Sequence, residues 1–448
     1  MSQQETNLPE QSPMRRILGN LGFLVRGRGV AAVLTLATTA ILARSLGPVE
    51  FGMVVVIQTY VLLIRGLLNF KQFEAIIKFG VPAHDAGDNH TIRRLIFISR
   101  KVDRYMSITA TIVAVALAPL IGPSLGMNSE HIILLAVYSL VLITTGNRTD
   151  VGILRLLDHF DILGRQMAIG SIVRFFGVLI AWFFDPSIRT YVAILFFAFI
   201  SEEIYLSWHG HKKFNNQIGH ESDDEKVEDA KMSEFSGLRP FLWITYWQSN
   251  LDLVPKHISV MMAGYFLGAS EAGLLRLARQ FSSLLAKPAV LIRQVVFLDL
   301  TRSWNKGGEN FKLIAYRTAF YGACVGMIFV IAGYFFGESL LDSIVGIEYV
   351  AAAPVLTLML LSATFELSAS SLRSAAYAIG DADKVLHLYA ISAFVYLGLF
   401  VVLTLEMGLI GAGWAASISA FIPLIAMIFF IKKGRIKKKY KKKHGKIE

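Results

Sequence analysis

Charged residues are scarce in this chain, and cysteine is almost absent. Only 17% of the 448 residues are charged, whereas 54% are hydrophobic. A soluble fold would have difficulty burying that much apolar surface, so the composition indicates a polytopic membrane protein. The one cysteine, Cys324, excludes an intramolecular disulfide and a cysteine metal cluster. We therefore predict no metal site.

Other familiar signals are also missing. Residues 1–14 are polar and the first apolar block is long, so we expect no cleavable signal peptide and a retained first membrane helix. The chain has no Gly-rich nucleotide-binding loop and no metalloprotease motif. We predict that it is not an enzyme, with no catalytic residues, no cofactor and no direct use of ATP.

Apolar runs of about 17 to 25 residues predict twelve transmembrane helices. They centre on residues 18–43, 52–70, 105–123, 131–146, 167–184, 191–208, 241–266, 273–298, 318–336, 350–372, 385–405 and 408–431. Lys and Arg outside these runs gather in alternate loops, and only Arg44 and Arg189 fall in the others. Because positively charged loops stay in the cytoplasm, both termini are predicted to be cytoplasmic.

A repeated turn predicts two similar halves. The pattern Leu-Gly-x-x-Glu-x-Gly occurs at residues 46–52 and again at residues 267–273. Internal repeats of this kind are common in transporters. The predicted organisation is an N-terminal six-helix lobe (1–208), a cytoplasmic linker (209–240), a C-terminal six-helix lobe (241–431) and a polybasic cytoplasmic tail (432–448).

Charge patterns suggest simple roles for the linker and the tail. The linker holds an acidic cluster and three histidines, and we expect a solvated tether rather than a partner site or a metal site. The stretch Lys432 to Lys446 holds nine lysines and one arginine. At about 1 kcal/mol per base near anionic lipid, it should bind the anionic leaflet, and we predict no nucleic-acid partner.

Bases inside the predicted spans are the strongest functional signal. A Lys or Arg at the centre of a membrane helix costs about 2.5 to 3.5 kcal/mol, so most must face a hydrated cavity or a partner. Arg26, Arg276 and Arg293 are close enough to helix ends to reach the interface. The other six are predicted to bind substrate: Arg28, Arg65, Arg174, Lys256, Arg279 and Lys287.

Only Asp252 and Glu366 stand out as embedded acids, so the predicted cavity is cationic. Guanidinium groups bind diphosphates well, which favours an anionic substrate. Asp252 and Lys256 are four residues apart and can pair with each other instead. Both acids are candidates for coupling to a proton or a sodium ion, although Glu366 could also be a neutral acid that hydrogen-bonds two helices together.

Several turns resemble those of a known transporter family. The sequence Ala-Arg-Ser-Leu-Gly-Pro-Val-Glu-Phe-Gly at 43–52 is similar to the opening signature of the O-antigen-type polysaccharide flippases. These belong to the multidrug, oligosaccharidyl-lipid and polysaccharide exporter superfamily. Residues 267–278, 380–384 and 408–416 also resemble turns of this family, so the resemblance extends over nearly the whole chain.

The resemblance implies a fold and a cargo. It implies two six-helix lobes in a V around a central cationic cavity, which moves polyprenyl-diphosphate-linked oligosaccharide across the inner membrane of a bacterium by alternating access. It also makes polysaccharide biosynthesis proteins candidate partners. Individual binding residues are not carried over, because lumen residues vary widely in the family.

Alternative functions remain open at this point. They are a peptidoglycan-precursor flippase, which usually has two further helices, a multidrug or cation exporter, and a membrane-embedded glycan polymerase or ligase. A cationic cavity disfavours the exporter, because it would repel a cationic cargo. Short external loops disfavour the polymerase or ligase, because its active site needs a sizeable aqueous loop.

Overall fold

The computed structural model describes residues 13–219, 230–251, 253, 257–283, 311–379 and 382–433. Every regular element in these ranges is helical, which confirms the predicted all-α class. Nine helical stretches within them are long and apolar enough to cross a membrane. The first of these, Gly29–Asp85, contains two predicted spans. Predicted spans 7 and 8 lie partly outside the described residues.

The helices of the first half follow one another closely. They are listed in order as α1 Pro13–Leu67, α2 Gln72–Asp85, α3 Asn89–Ile121, α4 Ser129–Ser139, α5 Arg148–Leu156, α6 Phe160–Phe184 and α7 Ile188–Gln217. Helix α2 has a polar and an apolar face, and it packs on α5 through a cluster that includes Ile76 and Ile153. Helix α7 continues past residue 208, where the linker was predicted to begin.

The second half begins with shorter described helices and ends with four long ones. They are α8 Leu238–Leu251, α9 Ser259–Leu267, α10 (described for residues 269–283), α11 Phe311–Val345, α12 Ala353–Ile379, α13 Ala382–Met407 and α14 Leu409–Lys433. Helices α11 to α14 pack around a cluster that includes Phe311, Leu372, Val385 and Met427.

The repeated turns adopt matching backbone conformations. Gly47 has φ 70° and ψ 173°, and Gly268, at the equivalent position, has φ 99° and ψ 172°. Positive φ is strained for residues other than glycine, so glycine explains how both turns form. Pro48 follows Gly47 and fixes the next φ, which bends α1 between its two predicted spans.

The two turns also contact each other. A Cβ at Gly52 would lie 2.0 Å from the Ala269 carbonyl oxygen, and one at Gly273 would lie 3.1 Å from the Gly52 Cα. Gly52 and Gly273 are equivalent positions of the repeat. The contact between them is therefore between like surfaces, and glycine allows the two backbones to touch.

Packing divides the chain into two compact units. The first contains residues 1–45, 64–120 and 132–247, and the second contains residues 46–63, 121–131 and 248–448. The sequence placed 46–63 and 121–131 in the N-terminal lobe. The lobe boundaries stay a prediction, because units of packing need not coincide with halves of a repeat.

Parts of the predicted linker are ordered. His209 and His211 lie on α7, and Met232 and Phe235 pack against an apolar cluster that contains Leu238. The described residues hold no group of His, Cys, Asp and Glu that could bind a metal ion. A fully solvated tether is therefore wrong for the described ends of this segment, while the acidic cluster at 221–229 lies outside the described residues.

Candidate functional site

A buried ion pair joins α1 to α7 in the first unit. Arg65 Nη2 donates to Glu203 Oε1 at 2.5 Å, and the two side chains are 16% and 4% exposed. The Arg65 guanidinium carbon also lies 4.8 Å from the centre of the Phe199 ring, one turn before Glu203. Leaving either charge unpaired in this environment would cost several kcal/mol. Arg65 is thus held by a carboxylate of this chain.

Glu202, the neighbour of Glu203, is held by α6. Its Oε1 accepts a hydrogen bond from Gln166 Nε2 at 2.8 Å. One turn further along α6, a Cβ at Gly170 would lie 2.6 Å from Glu202 Oε2. Glycine at this position therefore leaves the space that the carboxylate occupies.

Arg174 and Arg148 complete this group of charges. Arg174 lies one turn after Gly170 on α6, and its Nε has no hydrogen-bond partner among the described residues. Glu202 interacts electrostatically with Arg65, Arg174 and Arg148. We call these residues the first polar cluster: Arg65, Arg148, Arg174, Glu202 and Glu203. It has three guanidinium groups and two carboxylates, so one positive charge remains.

Two more buried acids fasten α5 to its neighbours. Asp103 Oδ2 accepts hydrogen bonds from the backbone N and Oγ1 of Thr149, both at 2.7 Å. Asp150, 2% exposed, pairs with Arg100 at 3.3 Å and lies 3.6 Å from His211 Nδ1. These contacts connect α3, α5 and α7. Arg148 of the first polar cluster is also on α5, so these contacts hold the helix that carries it.

The second unit contains a polar cavity of about 190 Å³. Arg279 and Glu366, on α10 and α12, both line it. These residues were predicted separately, as a substrate base and as a coupling acid. Hydroxyl groups supply most of the other polar lining, from Ser282, Ser283, Ser362, Tyr396 and Ser419.

Arg279 is positioned by hydroxyl groups. It donates to Ser259 Oγ at 2.7 Å and to the Tyr396 hydroxyl at 3.2 Å. Ser259 and Tyr396 are both buried. A hydroxyl orients a guanidinium without neutralising its charge. Arg279 and Glu366 therefore line the same cavity.

The structure changes two expectations about individual charges. Glu366 is exposed in the cavity, so the premise that it is a buried acid is wrong, and its coupling role stays a prediction. Asp252 and Glu366 are not the only embedded acids, because Glu202 and Glu203 lie within a predicted span. Two adjacent acids inside an apolar run were a readable signal for them.

The remaining predicted site residues receive no structural description. Asp252, Lys256 and Lys287 lie outside the described residues, as does the side chain of Arg28. Of the six predicted substrate bases, Arg65 and Arg174 share the first polar cluster and Arg279 lies in the cavity of the second unit.

Solved structures show which class of protein has this fold. An inward closed structure of the lipid II flippase MurJ matches with a TM-score of 0.72, at 14% identity, over 92% of this chain and 87% of that chain. An inward-facing multidrug resistance transporter of the MATE family, in the MOP superfamily, matches with a TM-score of 0.68, at 15% identity, over 94% and 99%. This chain therefore shares its fold with these two membrane proteins.

Sequence comparisons narrow this class to one family. The pattern of the polysaccharide biosynthesis protein family matches residues 17–297, more than half of the chain. The chain belongs to this family, and the predicted resemblance to polysaccharide flippases of the MOP superfamily is confirmed. The two structural neighbours named above are a flippase and a transporter.

Two curated relatives agree with this assignment. The inner membrane protein YghQ of Escherichia coli is 24% identical over 75% of this chain and 95% of its own length. The capsular polysaccharide biosynthesis protein CapF of Staphylococcus aureus is 23% identical over 83% and 96%. The chain is a multi-pass inner membrane protein of the polysaccharide biosynthesis protein family.

Proposed function

We propose that this protein is a flippase for polyprenyl-diphosphate-linked oligosaccharide, the repeat unit of O-antigen or of another surface polysaccharide. It moves this cargo from the cytoplasmic to the outer leaflet by alternating access. Membership of the polysaccharide biosynthesis protein family supports this cargo class. The name of the relative CapF, a capsular polysaccharide biosynthesis protein, points the same way.

The observation that carries the proposal is the chemistry of the cavity around Arg279. A guanidinium group binds phosphate by charge-assisted hydrogen bonds, and serine and tyrosine hydroxyls suit sugar hydroxyl groups. A volume of about 190 Å³ is below the usual range for drug-sized ligands. In this proposal the cavity therefore holds the part of the head group nearest the diphosphate, not the whole oligosaccharide.

Different bases have different roles in this proposal. Arg279 binds the diphosphate, because hydroxyls orient its guanidinium. Arg174, whose Nε has no hydrogen-bond partner among the described residues, keeps its predicted substrate role. Arg28, Lys256 and Lys287 keep their predicted substrate role. Arg65 acts as a positioning residue, since Glu203 holds its guanidinium.

Transport is driven by a proton or sodium ion in this proposal. Glu366 is the candidate coupling group, because its carboxyl lines the same cavity as Arg279. Asp252 is the second candidate. Replacing Glu366 by Gln should remove the pH dependence of transport while leaving binding of the lipid-linked oligosaccharide in place. An unchanged pH profile would end the coupling role.

Deletion of the gene tests the cargo most directly. Lipid-linked glycans extracted from the deletion strain should include a finished polyprenyl-diphosphate oligosaccharide that accumulates on the cytoplasmic side. The wild-type gene should reverse the accumulation, and Arg279→Gln should not. Arg276→Gln, three residues away and outside the cavity lining, is the matched control and should also reverse it. A normal lipid-linked pool in the deletion strain would contradict the proposed cargo.

A multidrug or cation exporter is the alternative that the likeness to a MATE family transporter keeps open. Increased sensitivity of the deletion strain to cationic drugs, with normal lipid-linked glycans, would favour it. In that case the carboxyl of Glu366 would bind the cation, whereas a diphosphate would use the guanidinium of Arg279 in the same cavity.

The orientation in the membrane is also part of the proposal. Both termini lie in the cytoplasm, and Lys432 to Lys446 bind the anionic inner leaflet. A reporter enzyme that works only in the cytoplasm should be active when it is fused to either terminus, and a reporter that works only in the periplasm should be inactive. Periplasmic activity of either fusion would reverse this topology.

A further inference from the structure

A large apolar cavity lies in the first unit, and its lining shares no residue with the first polar cluster. Its volume is about 590 Å³, within the usual range for sites that bind small molecules. Helix α3 contributes Val102 and Met106, and α8 contributes Leu242 and Trp243. Phe70 and Met232 close it from the segments after α1 and before α8.

The cavity wall is held in place by specific contacts. Glu234 accepts two hydrogen bonds from Arg94 of α3, at 2.7 and 2.8 Å, which fastens the turn that carries Met232. On the opposite side, the Tyr246 hydroxyl donates to the Leu67 carbonyl oxygen at 2.9 Å. The cavity is therefore a built feature of this unit.

The lining residues come from the ends of three predicted spans. Phe70 ends span 2, Met106 begins span 3 and Trp243 begins span 7, all on the predicted cytoplasmic side. The rings of Phe70 and Trp243 both stack on Tyr246, with centroids 4.8 and 5.6 Å apart. Aromatic groups concentrate where hydrocarbon meets head groups, so this position suits a lipid.

One charged group completes the chemistry. Among the described lining residues only Arg239 is charged, and it is exposed. A ligand that matches both features has a hydrocarbon chain joined to a phosphate.

We infer that this cavity is a loading site for the lipid carrier. It binds the isoprenoid chain of a polyprenyl phosphate or diphosphate at the cytoplasmic leaflet, and Arg239 binds the phosphate before the head group moves to Arg279. The choice of an isoprenoid rather than a phospholipid rests on the proposed function. The site itself rests on the cavity, its aromatic lining and Arg239.

Photocrosslinking of the purified full-length protein tests this inference. The probe is a polyprenyl phosphate with a diazirine at the end of its chain, and labelled peptides are identified by mass spectrometry. Label should appear on the peptides that contain Met106 and Trp243. Unlabelled polyprenyl phosphate should compete with the probe, and phosphatidylglycerol should not.

Two variants examine the two parts of the site. Val102→Trp fills the cavity and should reduce labelling about tenfold, as expected when one side chain blocks a fitted apolar pocket. Arg239→Gln should weaken phosphate-probe binding about tenfold, the usual loss for a hydrogen bond to a charged group, and leave a neutral polyprenol probe unaffected. Arg165→Gln, on an exposed residue of α6, is the control and should match wild type.

The outcomes separate this inference from the proposed function. Label elsewhere in wild-type protein, or equal competition by phosphatidylglycerol, would overturn the loading site even if the deletion strain accumulates lipid-linked glycan. Specific labelling of the cavity without that accumulation would uphold a polyprenyl phosphate site and overturn the proposed transport. Because labelling is mapped first on wild-type protein, the test does not depend on the folding of Val102→Trp.

Discussion

Arg65 and Arg279 are both guanidinium groups within apolar helices, but their surroundings differ. Arg65, in the first unit, is paired with the carboxylate of Glu203. Arg279, in the second unit, donates to the hydroxyls of Ser259 and Tyr396 at the edge of a cavity. A carboxylate neutralises a buried base, whereas hydroxyls only orient it. The difference is between a base that joins two helices and a base that lines a cavity.

Breaking the buried pair should have the largest effect on stability. Arg65→Ala leaves Glu203 charged and buried, so we expect a loss of about 3 to 5 kcal/mol. Arg279→Gln should lose about 1 kcal/mol, because it removes the hydrogen bonds to the hydroxyls of Ser259 and Tyr396. Thermal unfolding of both purified variants measures the contrast.

A double substitution provides the control for this contrast. Arg65→Met combined with Glu203→Leu removes both charges and should recover most of the lost stability, because a packed apolar pair can replace a buried ion pair. Equal destabilisation by Arg65→Ala and Arg279→Gln would show that the two surroundings are energetically alike.

Crowding the first polar cluster should have an intermediate effect. Gly170→Ala places a Cβ 2.6 Å from Glu202 Oε2 and should displace this carboxylate from Gln166, with a loss of about 1 to 3 kcal/mol. Gly398→Ala is the matched control, because it lies within α13 with no atom close to the added Cβ. That control should be neutral or stabilising by about 0.5 to 1 kcal/mol. Similar melting shifts in both variants would mean that Glu202 is free to move.

Removing a hydroxyl partner tests whether hydrogen bonds orient Arg279. Ser259→Ala deletes the hydrogen bond of 2.7 Å and should cost about 1 kcal/mol of stability. Its effect on transport should be larger, because the guanidinium loses part of its orientation. Thermal unfolding and transport are measured on the same preparation of the variant. Transport at the wild-type rate would contradict a role for Ser259 in the site.

The smallest effect on stability is expected at an exposed ion pair, Arg94 with Glu234. The hydrogen bonds from Arg94 hold the pKa of Glu234 below its ordinary value. A lowered carboxyl pKa means that the stabilisation is present at neutral pH and is lost as the pH falls through the folded-state pKa. Hydrogen exchange at residues 231–235 should therefore be faster in Glu234→Gln than in wild type at pH 7. This difference should shrink as the pH falls through the lowered folded-state pKa of Glu234, and its persistence after the carboxyl is fully protonated would refute the role of this carboxylate.

Much of the fold was readable from the sequence because its signals are local. Apolar run length predicted the membrane helices, and a seven-residue pattern predicted that Gly47 and Gly268 begin equivalent turns. Their matching ψ angles follow from requirements that each glycine meets within its own turn. Such features need no knowledge of what packs against them.

The site was only partly readable because ion pairing is not local. Their charge inside apolar spans marked Arg279 and Glu366 as functional candidates, and both line one cavity. The partner of Arg65 lies 138 residues away, on a different helix, so spacing within α1 could not reveal it. The ordered end of the linker was missed for the same reason, because Phe235 is held by helices distant in sequence.

Transport by reconstituted protein tests the central claim most directly. The measurement is the initial rate at which proteoliposomes move a polyprenyl-diphosphate oligosaccharide between leaflets, normalised to folded protein, for wild type, Arg279→Gln and Arg276→Gln. We expect Arg279→Gln to be at least about tenfold slower, the usual cost of one charge-assisted hydrogen bond, and Arg276→Gln to match wild type. Equal rates for all three proteins would contradict the claim that Arg279 binds the diphosphate of the cargo.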